Sequence, residues 1–314
     1  MCTAIRYGGM FGRNFDLDFE FEQNVLFTPR NFEIKRKNAP NIRAHYAIMG
    51  MGLCIEDFPL YYDAMNEKGL GMAGLNFPGY AEYNGMDTIK ENIATFELIP
   101  SVLGCAKNVS EAIKYLKNIN ITSVPFSEVY PVTPLHWMVA DRERSVIVEC
   151  DKRGMTVYED SVDLLTNSPA YDIHLFNLSN YMAISPKVAE NRFSDKLSLS
   201  SYSFGMGGIG LPGDYSSMSR FVKGVFLLHN SPEFETDEEN LAHFYRLLYS
   251  VAITKGAVQT KSGKPEFTQY SCCMDMSKLR YSFTSYNSLI PKSVCFADFD
   301  LNTNEVSIKC HDNN

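Results

Sequence analysis

The second residue of the chain is a cysteine, Cys2, and its position suggests a nucleophile. Removal of the initiator Met1 would leave a thiol and a free α-amino group on one residue. An α-amine has a reference pKa of about 7.7–8.0, so near neutral pH part of it can accept the thiol proton, directly or through one water. Cys2 would then serve as both attacking group and base. A lone cysteine at position two is also compatible with an incidental residue, so the residues around it must decide.

Arg13 and Asp16 follow Cys2 closely enough for a hairpin to bring them beside the thiol. A guanidinium near the sulfur would favour the thiolate, and a carboxylate would hold the α-amino group by a charge-assisted hydrogen bond. The two residues have opposite parity in a strand, so we expect a bend near residues 12–14 that lets both point into one site. An ordinary salt bridge between them is the alternative interpretation.

The elements that must position these residues begin with strands. Alternation of Phe15, Leu17, Phe19 and Phe21 with acidic residues predicts a strand with one buried face. Further strands are predicted at 24–28, 45–49, 70–75, 135–140, 145–150, 268–274, 281–284, 294–297 and 305–308. Helices are predicted within 96–117, over 218–229 and after residue 236, the first and last with capping-box sequences that begin at Asn108 and Thr236. This order suggests an α+β fold in which sheets pack face to face with helices outside them.

Composition excludes several classes of function. The 314 residues contain no linker, low-complexity tract or repeat, so we expect a single domain over residues 1–314. A net charge of −8 argues against nucleic acid as a partner, and the longest basic run is residues 35–37. No stretch approaches the roughly 18 apolar residues of a membrane span, and the start does not resemble a signal peptide, so we predict a cytoplasmic protein without membrane insertion. The eight cysteines are expected to be reduced.

Metal binding is not predicted. The six histidines lack metal-ligand spacing, and His136 lies in an apolar run where a satisfied core histidine is the usual explanation. The glycine-rich residues 205–210 fit a dinucleotide-binding pattern, but no buried strand precedes them and Pro212 interrupts the sequence before any helix. We interpret them instead as a flexible rim of the substrate pocket.

Several motifs in order resemble the choloylglycine hydrolase family, the bile salt hydrolases and penicillin V acylases, over essentially the whole chain. The motifs are Met-Cys-Thr-Ala at the start, Phe-Gly-Arg-Asn-Phe-Asp at 11–16, Met-Asn-Glu-Lys-Gly-Leu-Gly at 65–71, Gly-Leu-Asn-Phe-Pro at 74–78, Leu-Thr-Asn-Ser-Pro at 165–169, Gly-Leu-Pro-Gly-Asp at 210–214, Ser-Met-Ser-Arg-Phe at 217–221 and Thr-Gln-Tyr at 268–270.

The resemblance implies a four-layer αββα sandwich of the N-terminal nucleophile hydrolases, usually a homotetramer, without metal or organic cofactor. The catalytic residues that it implies are Cys2 as nucleophile and base, Arg13 beside the sulfur, Asp16 orienting the amine, Asn76 and Asn167 as the two family asparagines, and Arg220 as an electrostatic contributor. Some penicillin acylase relatives carry a leader that must be cleaved autocatalytically. Because Met1 alone precedes Cys2 here, we expect no autoprocessing.

The resemblance also bears on the substrate. The substrate-pocket positions of the family correspond here to Phe15, Phe21, Ile55, Tyr62, Phe126 and Tyr130, although core packing explains each of these residues equally well. Asn76 favours conjugated bile acids, because penicillin V acylases often have tyrosine there. The expected reaction is hydrolysis of the glycine or taurine amide through a Cys2 thioester. Penicillin V acylase, acyltransferase and non-catalytic steroid-binding activities are the alternatives.

Overall fold

The computed structural model describes residues 1–19 and 22–309. In chain order the strands are β1 (Cys2–Tyr7), β2 (Met10–Leu17), β3 (Asn24–Thr28), β4 (Ile48–Ile55), β5 (Phe58–Asn66), β6 (Gly71–Asn76), β7 (Glu91–Ala94), β8 (Ile119–Thr122), β9 (Leu135–Ala140), β10 (Ser145–Asp151), β11 (Gly154–Glu159), β12 (Leu164–Leu165), β13 (Val258–Gln259), β14 (Pro265–Asp275), β15 (Arg280–Ser285), β16 (Ser288–Cys295) and β17 (Ser307–Lys309). The helices are α1 (Leu98–Cys105), α2 (Val109–Leu116), α3 (Tyr171–Leu178), α4 (Ser217–His229) and α5 (Asp237–Tyr249).

Two antiparallel sheets form the centre of the fold. The first has the order β12-β1-β2-β14-β15-β16, with β13 paired to β14, and the second has the order β11-β10-β9-β6-β5-β4-β3-β17. Strands β1 and β2 of the first sheet face β6 of the second. Helices α4 and α5 cover the outer side of the first sheet, and α1 and α2 cover the outer side of the second. The predicted four-layer αββα sandwich is therefore confirmed.

The hairpin of β1 and β2 sets the geometry around Cys2. Gly8 and Gly9 form its two-residue turn with φ values of 58° and 76°, a left-handed conformation that glycine adopts without steric cost and that matches the twist of paired strands. The resulting register places Cys2 opposite Phe15. It also places the start of β1 at an end of the sheet, where the N–H of Cys2 is not engaged in strand pairing.

Three expectations for β2 are wrong. The strand ends at Leu17 instead of continuing through Phe19, which is 47% exposed. Its residues are buried on both faces because β2 lies in the middle of a sheet that is covered on both sides, so alternation with Asp16 does not mark a solvent face. The bend near 12–14 is not found either, since the register with β1 is unbroken. The irregularity lies on β14, between Thr268 and Tyr270, opposite the end of β2.

The predicted helix starts and most strands are confirmed. Asn108 caps α2 by accepting a hydrogen bond from the Glu111 N–H, and Thr236 and Glu239 form a complete capping box at α5. The strand predicted at 45–49 begins only at Ile48. Among the described residues, no helix combines the length and the apolar character needed to cross a membrane.

Candidate active site

Cys2 is the first residue of β1 and is buried, with 3% of its surface exposed. Its backbone N–H donates a 2.7 Å hydrogen bond to Asn167 Oδ1, and its carbonyl accepts a 2.6 Å hydrogen bond from Arg220 Nη1. Both backbone groups of the residue are thus held by side chains from distant parts of the chain. The sulfur lies at a cavity that these contacts leave open.

Asn167 connects three parts of the site. Its Oδ1 also accepts a 2.7 Å hydrogen bond from Arg220 Nη2, and its Nδ2 donates to the carbonyl of Asn76 at 2.8 Å. Its own backbone N–H donates to Ser217 Oγ at 2.9 Å, at the first residue of α4. Because all these groups are buried or partly buried, each bond would be costly to lose, and the position of the Asn167 side chain is well determined.

Arg13 lies on the side of Cys2 that faces the second sheet. Its guanidinium is fully buried, donates to the carbonyls of Gly74 at 2.6 Å and Tyr62 at 3.3 Å, and lies 4.8 Å above the ring of Phe15. Its Nη2 has no hydrogen-bond partner among the described residues. Burial alone would lower the pKa of Arg13, but Cys2, Tyr270, Asp63 and Cys272 nearby raise it above its ordinary value.

Asp63 is the acidic residue behind Arg13, and sequence reasoning missed it. It extends from β5 into the interface between the sheets, where its carboxylate accepts hydrogen bonds from the hydroxyls of Tyr270 at 2.5 Å and Tyr281 at 2.6 Å. Burial raises the pKa of Asp63, whereas the charge of Arg13 lowers it. The group connects the two sheets next to the site, and a single acidic residue in a strand gives no sequence signal for such a role.

Asp16 reaches the start of the chain from the other direction. Its Oδ1 accepts a 2.6 Å hydrogen bond from Thr268 Oγ1, and its Oδ2 is buried without a hydrogen-bond partner in the described part of the chain. Its backbone carbonyl accepts a 2.8 Å hydrogen bond from the terminal ammonium of Met1. That ammonium is also bound by the carboxylate of Glu266, and burial lowers its pKa. No bend is required for Asp16 and Arg13 both to lie near the start of the chain, since Cys2 is the first residue of its strand.

Arg220 projects from the first turn of α4. Besides its bonds to Cys2 and Asn167, its Nη1 donates to Thr3 Oγ1 at 2.6 Å and its Nε to the Tyr215 carbonyl at 3.0 Å. Burial lowers the pKa of Arg220, while Asp16 and Cys2 act in the opposite direction. An arginine stays protonated in proteins, so a second buried positive charge lies near the sulfur.

A mainly apolar cavity of about 520 Å³ opens onto Cys2. Of the predicted pocket residues, Phe15, Tyr62, Phe126 and Tyr130 line it. Phe21 lies outside the described residues. Ile55 is not among the lining residues, because β4 has reached its turn at that point, and Leu53, two residues earlier on the strand, takes its place.

Other cavity residues were missed by sequence reasoning. Leu60, Phe96, Ile99 and Leu135 extend the apolar lining, and Glu266 is an acidic member. The predicted rim role of residues 205–210 is not found in the described structure: the loop packs against the backbone of Ser185 and Lys187 and does not line the cavity of its own chain. The Asn76 side chain does line the cavity, and it has no hydrogen-bond partner among the described residues.

His136 and the cysteines behave as the sequence suggested. The two ring nitrogens of His136 lie 3.0 Å from Glu149 Oε1 and 2.8 Å from the Thr166 carbonyl, so it is a satisfied core histidine. The seven cysteines among the described residues are all free. His174, whose role was not predicted, lies with its Nε2 2.9 Å from the Asn167 carbonyl and thus supports the site directly.

The fold and the site together define an amide hydrolase of the N-terminal nucleophile class. The model of the linear amide C–N hydrolases, choloylglycine hydrolase family, matches residues 2–309, and the chain belongs to this family. The resemblance drawn from the sequence motifs is confirmed.

Relatives with assigned names are similar over nearly their full lengths. The bile salt hydrolase/transferase of Lactiplantibacillus plantarum is 45% identical over 98% of this chain and 95% of its own length. The bile salt hydrolase/transferase of Clostridium perfringens is 37% identical over 98% of this chain and 95% of its own. A crystal structure of the C2A mutant of the conjugated bile acid hydrolase from Clostridium perfringens superposes with a TM-score of 0.92 at 34% identity, covering 99% of this chain and 97% of that one. The penicillin V acylase of Agrobacterium tumefaciens, at 20% identity and a TM-score of 0.78, shares the fold.

Proposed function

We propose that this protein hydrolyses the amide bond of glycine- or taurine-conjugated bile acids through a thioester on Cys2. The observation that carries the proposal is the placement of Cys2, whose N–H is held by Asn167 Oδ1 and whose sulfur opens onto a 520 Å³ apolar cavity. Cavities of roughly 300–1,000 Å³ with a few polar groups are typical of small-molecule sites. The names of the relatives supply the substrate class.

Removal of Met1 is the first requirement. While Met1 is attached, the nitrogen of Cys2 is a peptide amide, which is not basic and cannot accept the thiol proton. Met1 also lines the cavity and occupies space beside the sulfur. After its removal the same nitrogen becomes a primary amine, 2.7 Å from Asn167 Oδ1. Asp16 binds the start of the chain through its backbone, and its Oδ2 has no partner in the described part of the chain. These acceptors would orient the amine towards the sulfur.

The chemistry then proceeds by two acyl transfers. The thiol proton passes to the amine, and the sulfur attacks the amide carbon to form a tetrahedral intermediate. The C–N bond breaks as the α-ammonium returns a proton to the leaving nitrogen, which departs as glycine or taurine. Water then attacks the thioester carbon and gives one proton to the amine. The C–S bond breaks as the resulting ammonium returns that proton to the sulfur, which releases the bile acid and restores the Cys2 thiol.

The oxyanion of each intermediate needs a hydrogen-bond donor. The Asn76 side chain lines the cavity and has no hydrogen-bond partner among the described residues, so its amide N–H groups are available. Asn167 Nδ2 is already engaged with the Asn76 carbonyl, and we therefore assign Asn167 to holding the amine and the Asn76 backbone. Removing a single oxyanion donor costs roughly 10²–10³ in rate.

The preference for bile acids rests on the cavity and on Asn76. The lining is rich in aromatic and aliphatic side chains, among them Phe15, Phe96 and Phe126, which suits a steroid body. Penicillin V is the second candidate substrate, and the fold shared with a penicillin V acylase supports it. Comparing kcat/KM for glycocholate and penicillin V would decide between them.

The test uses purified protein whose terminus has been checked by mass spectrometry. We expect release of glycine from glycocholate and of taurine from taurocholate by protein that lacks Met1. Cys2→Ala should abolish release while retaining ligand binding, and Cys105→Ala, at the exposed end of α1, should retain full activity. Amine release by Cys2→Ala, or full activity in protein that keeps Met1, would overturn the mechanism. Binding without turnover by the wild type would favour a non-catalytic steroid-binding protein.

Acyl transfer is a second activity to measure, because the relatives' names include a transferase. The thioester would react with an amine instead of water. Incubation of taurocholate with an excess of a second amino acid should give a new conjugate, detected by mass spectrometry. Free bile acid as the sole product would show that water intercepts the thioester first.

We also propose a cytoplasmic homotetramer. Free cysteines throughout the described chain suit a reducing compartment. Exposed apolar side chains between residues 173 and 209 exceed what isolated surface residues explain, and they are Ile173, Phe176, Met182, Val188, Phe193, Leu197, Leu199, Tyr202, Phe204 and Ile209. Light scattering should give four times the monomer mass, and cell fractionation should place the activity in the soluble cytoplasmic fraction.

A further inference from the structure

His136 is fully buried on β9 and contacts both chain segments that carry the asparagines of the site. Its Nε2 lies 2.8 Å from the carbonyl of Thr166, the residue before Asn167. Its ring face stacks on Phe77, the residue after Asn76, with 4.3 Å between the ring centres and 10° between their planes. A single imidazole ring is therefore packed against the neighbours of both asparagines.

The ring is also fixed at its other nitrogen. Nδ1 of His136 lies 3.0 Å from Glu149 Oε1, and that carboxylate also accepts the backbone N–H of Tyr171 at 3.1 Å. Glu149 is 1% exposed and lies on β10, next to β9 in the second sheet. Because these groups are withdrawn from water, each hydrogen bond is costly to lose. The orientation of the His136 ring is therefore determined before any substrate binds.

The two contacts of the ring act on different asparagines. The bond at Nε2 fixes the Thr166 carbonyl, and with it the segment that presents Asn167 Oδ1 to the nitrogen of Cys2. The stack fixes Phe77, which is fully buried and follows Asn76, a residue that lines the cavity. A 2.8 Å hydrogen bond from Asn167 Nδ2 to the Asn76 carbonyl joins the two segments directly. The spacing of the asparagines therefore depends on the imidazole that contacts both of their neighbours.

We infer that His136 is a positioning residue for the reaction, because it holds the neighbours of both asparagines in place. The inference rests on the proposed function, in which Asn76 stabilises the oxyanion and Asn167 holds the amine of Cys2. The two contacts of the ring serve these two roles separately. Loss of the stack should displace Asn76, whereas loss of the bond at Nε2 should displace Asn167.

Two substitutions at position 136 distinguish the contacts. Glutamine places a nitrogen near the position of Nε2, so His136→Gln keeps a donor for the Thr166 carbonyl but loses the ring that stacks on Phe77. Asparagine reaches only the position of Nδ1, so His136→Asn loses the stack and the Thr166 bond together. Phe77→Leu removes the stack from the other side and leaves both bonds of His136 in place.

Steady-state hydrolysis of glycocholate is the first measurement. We expect kcat to fall about tenfold in Phe77→Leu and His136→Gln, and further in His136→Asn. KM should stay within about twofold, because a displaced oxyanion donor acts on the transition state and not on substrate binding.

His45→Gln is the matched control. His45 is a buried histidine whose ring nitrogens lie 2.7 Å from the Tyr46 carbonyl and 2.8 Å from the Phe32 carbonyl. Within the described chain, it is not among the residues that line the 520 Å³ cavity. Its replacement should therefore leave kcat unchanged.

A second measurement does not depend on amide hydrolysis. Iodoacetamide alkylates the Cys2 sulfur by displacement of iodide and forms no oxyanion, so its rate reports the thiol and the amine that takes the thiol proton. The rate at Cys2 is followed by mass spectrometry of the labelled peptide, in protein shown to lack Met1. We expect His136→Gln and Phe77→Leu to match the wild type, and His136→Asn to react about tenfold more slowly.

The outcomes separate the inference from the proposed function. If the wild type releases no glycine from glycocholate, the proposed function fails, and the alkylation rates alone then decide whether His136 acts on Asn167. Equal alkylation rates in His136→Asn and His136→Gln would overturn the inference. An unchanged kcat in Phe77→Leu, or an equal loss of kcat in His45→Gln, would overturn it as well.

Discussion

Protonation of His174 is expected to destabilise the protein and its site in mild acid. The ring is fully buried on α3, stacks on Phe221 at 4.5 Å, and lies with Nε2 2.9 Å from the Asn167 carbonyl. Its Nδ1 is buried and has no hydrogen-bond partner among the described residues. Burial, with smaller contributions from the charges of His136 and Arg220, outweighs the bond to Asn167 and lowers the pKa of His174 to about 4.

The magnitude follows from linkage. The pKa falls from 6.5 in the unfolded chain to about 4 in the folded protein, a difference of 6.5 − 4 = 2.5. At about 1.4 kcal/mol for each pKa unit, this is about 3–4 kcal/mol in total. Because the folded pKa is the lower one, the stability is fully present above pH 6.5 and is lost as the pH falls towards 4. About 2 kcal/mol should be lost between pH 7.5 and pH 5.

His174→Gln isolates this effect. Glutamine keeps an N–H donor for the Asn167 carbonyl but does not titrate, so the free energy of unfolding in urea should lose about 2 kcal/mol less between pH 7.5 and pH 5 than in the wild type. Phe221→Leu is the matched control, since it removes the stacked ring and lowers stability at both pH values while keeping the pH dependence. Equal pH dependence in the wild type and in His174→Gln would refute the reasoning.

Three further substitutions test individual contacts. Asn167→Ala should lower kcat by at least about 10²-fold and the free energy of unfolding by about 2 kcal/mol, because the Arg220 guanidinium and the Cys2 nitrogen lose their acceptor. A loss in kcat of less than threefold in steady-state kinetics would contradict the role assigned to Asn167. Tyr281→Phe removes a 2.6 Å hydrogen bond to Asp63 and should lower the free energy of unfolding in urea by about 1–2 kcal/mol. An unchanged urea midpoint would show that this hydrogen bond between the sheets is not stabilising. Gly12→Ala would place a Cβ 1.9 Å from a backbone oxygen of β14 and should prevent soluble expression. The control Gly85→Ala has open space at its Cβ and should change the melting temperature little. Similar behaviour of the two variants would contradict the close approach of β2 and β14.

Sequence could predict the local features of this fold because they depend on neighbouring residues. The cap of α2 at Asn108 and the capping box of α5 at Thr236 each involve residues three positions apart. The hairpin of β9 and β10 follows from two apolar runs separated by a polar turn. The motifs that carry the family resemblance also predicted the site residues before their positions were known, although their catalytic roles stay predictions.

The features that the sequence mispredicted or missed depend on how separate elements pack together. Whether Asp16 points to solvent depends on what covers each face of β2, and alternation along one strand cannot reveal a second covering layer. Asp63 meets Tyr270 and Tyr281 across more than 200 residues of sequence, with separations of 207 and 218. Such contacts arise from packing of one sheet on another, so a sequence without coordinates gives them no local signal. The bond between His174 and Asn167 has another cause: it spans only seven residues, but it depends on how α3 is placed relative to the loop that carries Asn167.

Some polar groups around Cys2 have hydrogen-bond partners and others have none, and the groups without partners indicate where a ligand would bind. The N–H and carbonyl of Cys2 are fixed by Asn167 and Arg220. By contrast, Arg13 Nη2 and Asp16 Oδ2 are buried without hydrogen-bond partners among the described residues. An unpaired buried polar group costs folding free energy of about 1–3 kcal/mol, so it persists where another interaction compensates for it. Arg13 lines the cavity together with Cys2, and Asp16 binds the start of the chain, so a substrate in the cavity or the amine that removal of Met1 would expose is placed to supply that interaction. We therefore expect these two atoms to gain partners when Met1 is removed and a substrate binds.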